Sequence, residues 1–361
     1  MKILSRILIL LIICQAAYGQ TAAKKIDSIC QSISKKNPEV GISVGFLDNG
    51  KEYFFNYGKI SKESKQPVNE KTIYEIGSIT KLFTGNLIAQ ASNEGKLKVD
   101  DFIDGYLQDY KLSKELQNKI KISDLASHQS GLPDLDFKKL TELNPKQPLD
   151  ISKELVHSII NEKTELIDYG NYRYSNMSFI LLGAILEKVY GKDYETLIRE
   201  KILVPTKMEN TFTSSYTVEN MVTGYDYKGV QQDFFNWNTV VAPAGLLKSN
   251  TSDLTKLVKS ILSNKTEISK ATTISENTFY KNTLREIGLG LQMERTNDDV
   301  YFYKTGNTMA CSSILAYNKK ADWGLVILLN HNNSGIVADL INTNYDEVLQ
   351  KKIISTSKNK K

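Results

Sequence analysis

The chain has 361 residues, 41% of them hydrophobic and 24% charged, with a formal net charge of +5. That apolar content supports a large buried core, as one unit or two closely packed subdomains, and the charged fraction is ordinary for a globular protein. The positive charge is diffuse apart from a basic tail, Lys351-Lys352 and Ser357 to Lys361, which reads as a solvated terminus. No basic stripe interleaved with aromatics is present, which excludes a nucleic-acid-binding role.

Lys2 and Arg6 precede an apolar run, Ile7 to Ile13, followed by Ala16-Ala17-Tyr18-Gly19. This pattern predicts a signal peptide over residues 1–19, with Gln20 as the new N-terminus and an exported, periplasmic or secreted protein. The run is too short for a permanent membrane span. Cys14 follows the bulky Ile13, which disfavours a lipid anchor on that cysteine. Ile26 to Lys36 then reads as an amphipathic helix ended by Pro38. Gly41 to Leu47 and Glu52 to Tyr57 read as strands joined by Asp48-Asn49-Gly50-Lys51, and Asn-Gly between apolar runs is a strong hairpin signal.

Helical spacing of apolar residues marks Leu82 to Ser92, Ser152 to Asn161, Phe179 to Tyr190 and Leu254 to Leu262. Three further strands follow, Val300 to Lys304, Ser312 to Asn318 and Trp323 to Asn330, before a closing helix over Ile336 to Leu349. The expected fold is therefore mixed α/β (α+β). An antiparallel sheet built from both chain termini and flanked by helices carries a mostly helical inserted subdomain. Residues 20–361 form one catalytic unit, a monomer, with the sheet at about 20–77 and 285–361 and the helical part at about 78–284.

Three short motifs could carry chemistry. In Ser78-Ile79-Thr80-Lys81, a helix beginning at the serine would put both polar side chains on one face, where a desolvated amine can take the hydroxyl proton. Tyr174-Ser175-Asn176 stands before the Phe179 helix, where a phenol can act as acid or base when nearby lysines favour the phenolate, and an asparagine can bind an amide. Lys304-Thr305-Gly306 ends a strand, followed by Asn307, and offers positive charge, backbone N–H groups and close backbone approach. Each is weak alone, since Ser-x-x-Lys recurs at Ser32, Ser355 and Ser357 and Tyr-x-Asn at Tyr169 and Tyr280. Their joint occurrence in this order, each on the element that its chemistry needs, is specific.

With these three motifs the chain resembles the serine β-lactamases and penicillin-binding proteins, and Tyr-Ser-Asn makes it similar to the class C β-lactamase branch, with its D-alanyl peptidases and esterases. Leu125 to Pro133 and Pro243 to Ser249 also resemble segments of that branch. The resemblance implies a serine hydrolase, a β-lactamase opening the β-lactam amide or, alternatively, a D-alanyl-D-alanine carboxypeptidase or small-ester hydrolase. A penicillin-binding sensor that is acylated once without turnover is the reading from another class. Ser78 would be the nucleophile, Lys81 and Tyr174 the proton relay, Ser78 and Asn307 N–H groups the oxyanion donors. Asn176 would hold the substrate amide, and Lys304 with Thr305 its carboxylate. No metal or cofactor is implied. Departures from the family pattern are Met309-Ala310-Cys311, His331 to Gly335, and Leu135 in place of an amide side chain. His128 reads as structural. Cys30 and Cys311 either pair or remain free buried thiols.

Overall fold

The computed structural model describes residues 21–350 apart from 146, 163–164, 214–218, 235–239, 246 and 297–298. The expected signal peptide and the basic tail lie outside the described residues. Among these residues no helix is long and apolar enough to cross a membrane.

An eight-stranded sheet organises the chain. From one edge to the other it runs Lys51–Tyr57, Ile42–Asp48, Trp323–Leu329, Ser312–Asn318, Asp299–Asn307, Gln292–Thr296, Glu286–Ile287 and Tyr280–Lys281. Every neighbouring pair is antiparallel, and Ile42–Asp48 lies beside Trp323–Leu329, so the two ends of the chain meet in mid-sheet. The first hairpin turns on two residues, because Asp48 pairs with Lys51. Asn49 and Gly50 take φ of +49° and +77°, the left-handed pair that a twisted hairpin needs.

Three central strands, Ile42–Asp48, Ser312–Asn318 and Trp323–Leu329, are buried along their whole length because both faces of the sheet are covered. On one face, the helices over 21–36 and Ser334–Asn344 enclose a cluster with Ile26, Cys30, Phe46, Trp323 and Leu340. On the other, the sheet meets the helical body, whose larger cluster includes Leu87, Leu182, Leu257 and Leu328. Each such side chain contributes about 1.5–3 kcal/mol on burial. The Thr80–Asn93 helix runs through this body and is buried from Thr80 to Ala91, so it has no solvent face. Its polar groups are satisfied internally: Thr84 Oγ1 donates to the Pro243 carbonyl at 2.8 Å, and Asn86 Nδ2 to that of Ile268 at 3.0 Å.

The mixed architecture and the terminal origin of the sheet match the expectation, but the sheet is larger than the sequence reading. It reaches back to Tyr280, ahead of the expected start near 285. Three edge strands, Tyr280–Lys281, Glu286–Ile287 and Gln292–Thr296, went unread because two of them are only two residues long. Cys30 and Cys311 are both buried as free thiols, in different apolar clusters.

Candidate active site

Ser78 lies in a single 3₁₀ turn, Gly77–Ile79, that leads directly into the Thr80–Asn93 helix. The helix therefore begins two residues later than the sequence reading placed it. The Ile79 N–H closes back on the Ile76 carbonyl at 3.2 Å, which tightens the turn around the serine. This turn is pressed against the end of the Asp299–Asn307 strand. A Cβ on Gly306 would approach the Ile76 carbonyl oxygen to 2.0 Å, so only glycine permits the contact. Gly77, at φ +50°, faces Asn307, whose backbone N and O would each lie 3.0 Å from an added Cβ. Two backbone segments carrying Ser78 and Asn307 are thereby held side by side.

Lys81 is fully buried, and its Nζ makes three contacts: Ser78 Oγ at 3.2 Å, Asn176 Oδ1 at 2.8 Å and the Ala244 carbonyl at 2.5 Å. Burial lowers its pKa to about 7, with the Asp134 carboxylate pulling the other way. The contact set has a chemical consequence. Two of the partners can only accept, so they fix two N–H bonds of a neutral amine and leave its lone pair for the Ser78 hydroxyl.

Tyr174 completes the group from the opposite side. Its hydroxyl is hydrogen-bonded to Ser78 Oγ, and the Nζ atoms of Lys81 and Lys304 lie 4.9 and 5.2 Å from its ring centroid. Lys304 is buried near the end of its strand, and desolvation lowers its pKa to about 8, against the attraction of Tyr174. His128 packs against the Tyr174 ring with centroids 4.4 Å apart, and its Nδ1 accepts from the Ser175 N–H at 3.2 Å. Burial and the two lysines hold this imidazole well below its usual pKa, so it is a neutral support.

Asn176 is the first residue of the Asn176–Tyr190 helix, which starts three positions before the expected Phe179. Ser175 caps it by accepting from Ser178 N at 3.0 Å. A second cap comes from far along the chain: Asp134 accepts from Asn176 N at 3.1 and 3.0 Å and from Met177 N at 2.8 Å. Its negative charge at a helix N-terminus anchors the segment carrying Tyr174 and Asn176. Sequence reasoning missed Asp134, whose only local signal is its place after Gly131-Leu132-Pro133.

These groups open into a cleft of about 550 Å³, lined by Ser78, Tyr174, Asn176, Lys304, Thr305 and Asn307. Gly306 acts from behind it, in the backbone contact described above. The structure thus brings together all eight residues singled out from the sequence. It adds Glu75, whose carboxyl burial pushes up to about 7 while Lys248, 4.0 Å away, opposes the shift. Walls unread in the sequence come from Phe137, Leu149, Tyr172 and Arg285. Met309 lines the cleft as its departure from the family pattern suggested, but Leu135 does not. Leu135 is buried in the main core, while Phe137 lines the cleft. His331 to Gly335 does not line the cleft either. Asn333 there accepts from Ile336 N at 3.1 Å and caps the last helix.

The chain matches the family described as Beta-lactamase over residues 26–350 and belongs to that family, within the serine β-lactamase and penicillin-binding protein superfamily. Among curated relatives, Protein flp of Staphylococcus aureus (strain NCTC 8325 / PS 47) is 27% identical over 345 residues, covering 92% of this chain and 68% of the relative. Among solved structures, a class C β-lactamase superposes with a TM-score of 0.79 at 24% identity, covering 93% of this chain and 96% of the other. A Beta-Lactamase/D-Alanine Carboxypeptidase from Pseudomonas syringae gives 0.76 at 20% identity, with 88% and 99% covered. These two likenesses establish a shared fold.

Proposed function

We propose that the protein is a serine hydrolase that forms an acyl-enzyme on Ser78 and opens the amide of a β-lactam. The observation that carries this reading is the contact set of Lys81. Acceptors at Asn176 Oδ1 and the Ala244 carbonyl orient the amine so that its free lone pair meets Ser78 Oγ. A pKa lowered to about 7 leaves much of that amine neutral near physiological pH. Ser78 attacks the carbonyl carbon, its proton passes to Lys81, and Tyr174 delivers a proton to the leaving nitrogen. Backbone N–H groups of Ser78 and Asn307, brought together by the Gly77 and Gly306 contacts, stabilise the oxyanion; a donor of this kind is worth roughly 2.7–4 kcal/mol. Asn176 holds the substrate amide, and Lys304 with Thr305 its carboxylate. Water then releases the acyl group with Tyr174 as base.

The same groups would serve a D-alanyl peptide or a small ester. The cleft wall formed by Phe137, Leu149 and Met309 is apolar and offers no group particular to a β-lactam side chain, which supports these substrates as the second reading. Export after cleavage at Gly19 belongs to the same proposal. Steady-state hydrolysis of a chromogenic cephalosporin, beside a D-Ala-D-Ala peptide and a short-chain ester, tests it. Turnover of the cephalosporin with the highest kcat/KM is expected. Turnover confined to the peptide or ester would replace the β-lactamase reading, and a stable adduct without turnover would make the protein a sensor.

A further inference from the structure

One wall of the cleft carries a cation that the acylation chemistry leaves unused. Arg285 is exposed, precedes the Glu286–Ile287 edge strand and lines the same cleft as Ser78 and Lys304. Its guanidinium carbon sits 4.9 Å from the Tyr172 ring centroid, a cation–π contact that limits the freedom of a long side chain. The carboxylate next in sequence is already taken. Glu286 accepts from Arg295 at 2.6 and 2.7 Å and pairs with Lys281 at 3.1 Å. Among the described residues, Arg285 has no acidic partner, and the Tyr172 hydroxyl has no hydrogen-bond partner. Burial raises the Tyr172 pKa to about 12, so that hydroxyl remains a donor. Five guanidinium N–H groups and one phenol O–H thus belong to cleft-lining side chains with no acceptor for them among the described residues.

We propose that Arg285 and Tyr172 form a recognition point for an anionic group of the substrate, separate from the one facing Lys304 and Thr305. The substrates that this cleft takes best then carry two anions, one for each recognition point. Guanidinium suits this task because its planar fork engages a carboxylate through two parallel hydrogen bonds. This inference rests on the acyl-transfer reading for which side of the substrate is cleaved, but the binding itself does not require turnover.

A matched pair of peptides separates the possibilities: succinyl-D-Ala-D-Ala, with two carboxylates, and butyryl-D-Ala-D-Ala, with one. In the wild-type protein, kcat/KM should favour the succinyl peptide by about tenfold, expressed in KM and shrinking as salt screens the exposed cation. Arg285→Gln should erase that preference, Arg285→Lys restore part of it, and Arg285→Glu turn it against the succinyl peptide. The butyryl peptide should respond less than the succinyl peptide in each variant, and far-UV circular dichroism reports that the variants fold. Equilibrium binding of both peptides to Ser78→Ala, with and without Arg285→Gln, repeats the comparison without catalysis. An Arg285-dependent binding preference without peptide hydrolysis would support this proposal and remove D-alanyl peptides from the substrates of the acyl-transfer reading, which the cephalosporin assay tests separately. Equal preference in wild type and Arg285→Gln, by either readout, would overturn the proposal.

Discussion

The centre of the cleft and its rim are built on opposite principles. At the centre, Lys81 and Lys304 are buried, and Lys81 has a fixed acceptor for each N–H, while Ser78 and Asn307 are held by backbone contacts that only glycine allows. At the rim, Phe137, Met309 and Arg285 project from three separate segments and are exposed, with 41% and 54% of the first two open to solvent. Desolvation is what shifts the lysines at the centre, and the same chemistry at the rim would be screened by water. The comparison teaches that the groups at the centre are each fixed by several buried contacts, whereas those at the rim reach into solvent. Substitutions should therefore fall into two classes, large losses for every substrate at the centre and selective changes at the rim.

The largest effect is expected at Lys81. Lys81→Met should lower kcat by about 10³-fold or more for β-lactam, peptide and ester alike, the range for loss of a positioned base. A loss confined to one substrate class would break the distinction between centre and rim. Next comes the pair of tyrosines that share a sequence pattern. Tyr174→Phe should cost about 10²-fold in kcat by removing the hydroxyl bonded to Ser78. Tyr169→Phe should leave kinetics within about twofold and lower stability by about 1 kcal/mol, because its single O–H lies within donating reach of the Lys119 carbonyl at 2.7 Å and Asp124 Oδ2 at 2.8 Å. Kinetics and urea unfolding of both variants check this, and the reverse ranking would relocate the reacting phenol.

The smallest effect sharpens the rim. Hydrogen bonds from Arg295, aided by Thr278 and Lys281 and opposed by burial, hold the Glu286 pKa at about 2 instead of 4.5. A depressed carboxylate stabilises the fold above its unfolded pKa and loses that contribution as pH falls from about 4.5 toward 2. The stability difference between wild type and Glu286→Gln, followed by urea unfolding, should be steady near neutral pH and shrink through that acid window. A difference independent of pH would mean that the carboxylate charge is not what anchors the edge strand beside Arg285.

What was legible in the sequence follows the same division. That Ser78, Lys81, Tyr174, Asn176 and the Lys304 to Asn307 run meet in one place was readable because the proposed chemistry demands particular residues at short spacing on particular elements. The first hairpin was readable because Asn49-Gly50 is a local solution to a local turn. Asp134 was not, since its carboxylate caps a helix 42 residues later and nothing in the intervening chain marks the pairing. Phe137, Tyr172 and Arg285 were missed for a related reason: they reach the cleft only through the tertiary fold, and each is unremarkable in its own segment. Leu135, a departure from the family pattern in the sequence, is buried in the core, which its own segment does not reveal. The edge strands escaped because Gly288 to Gly290 interrupts any alternation between Glu286–Ile287 and Gln292–Thr296.

Mapping the acyl adduct tests the account most directly. The protein is incubated with a labelled penicillin across a pH series, and the modified peptide is identified by mass spectrometry. The account predicts label on Ser78, forming faster as pH rises through about 7, where the Lys81 amine becomes neutral. Label on another residue, or labelling of Ser78 at a rate indifferent to pH across that range, would contradict it.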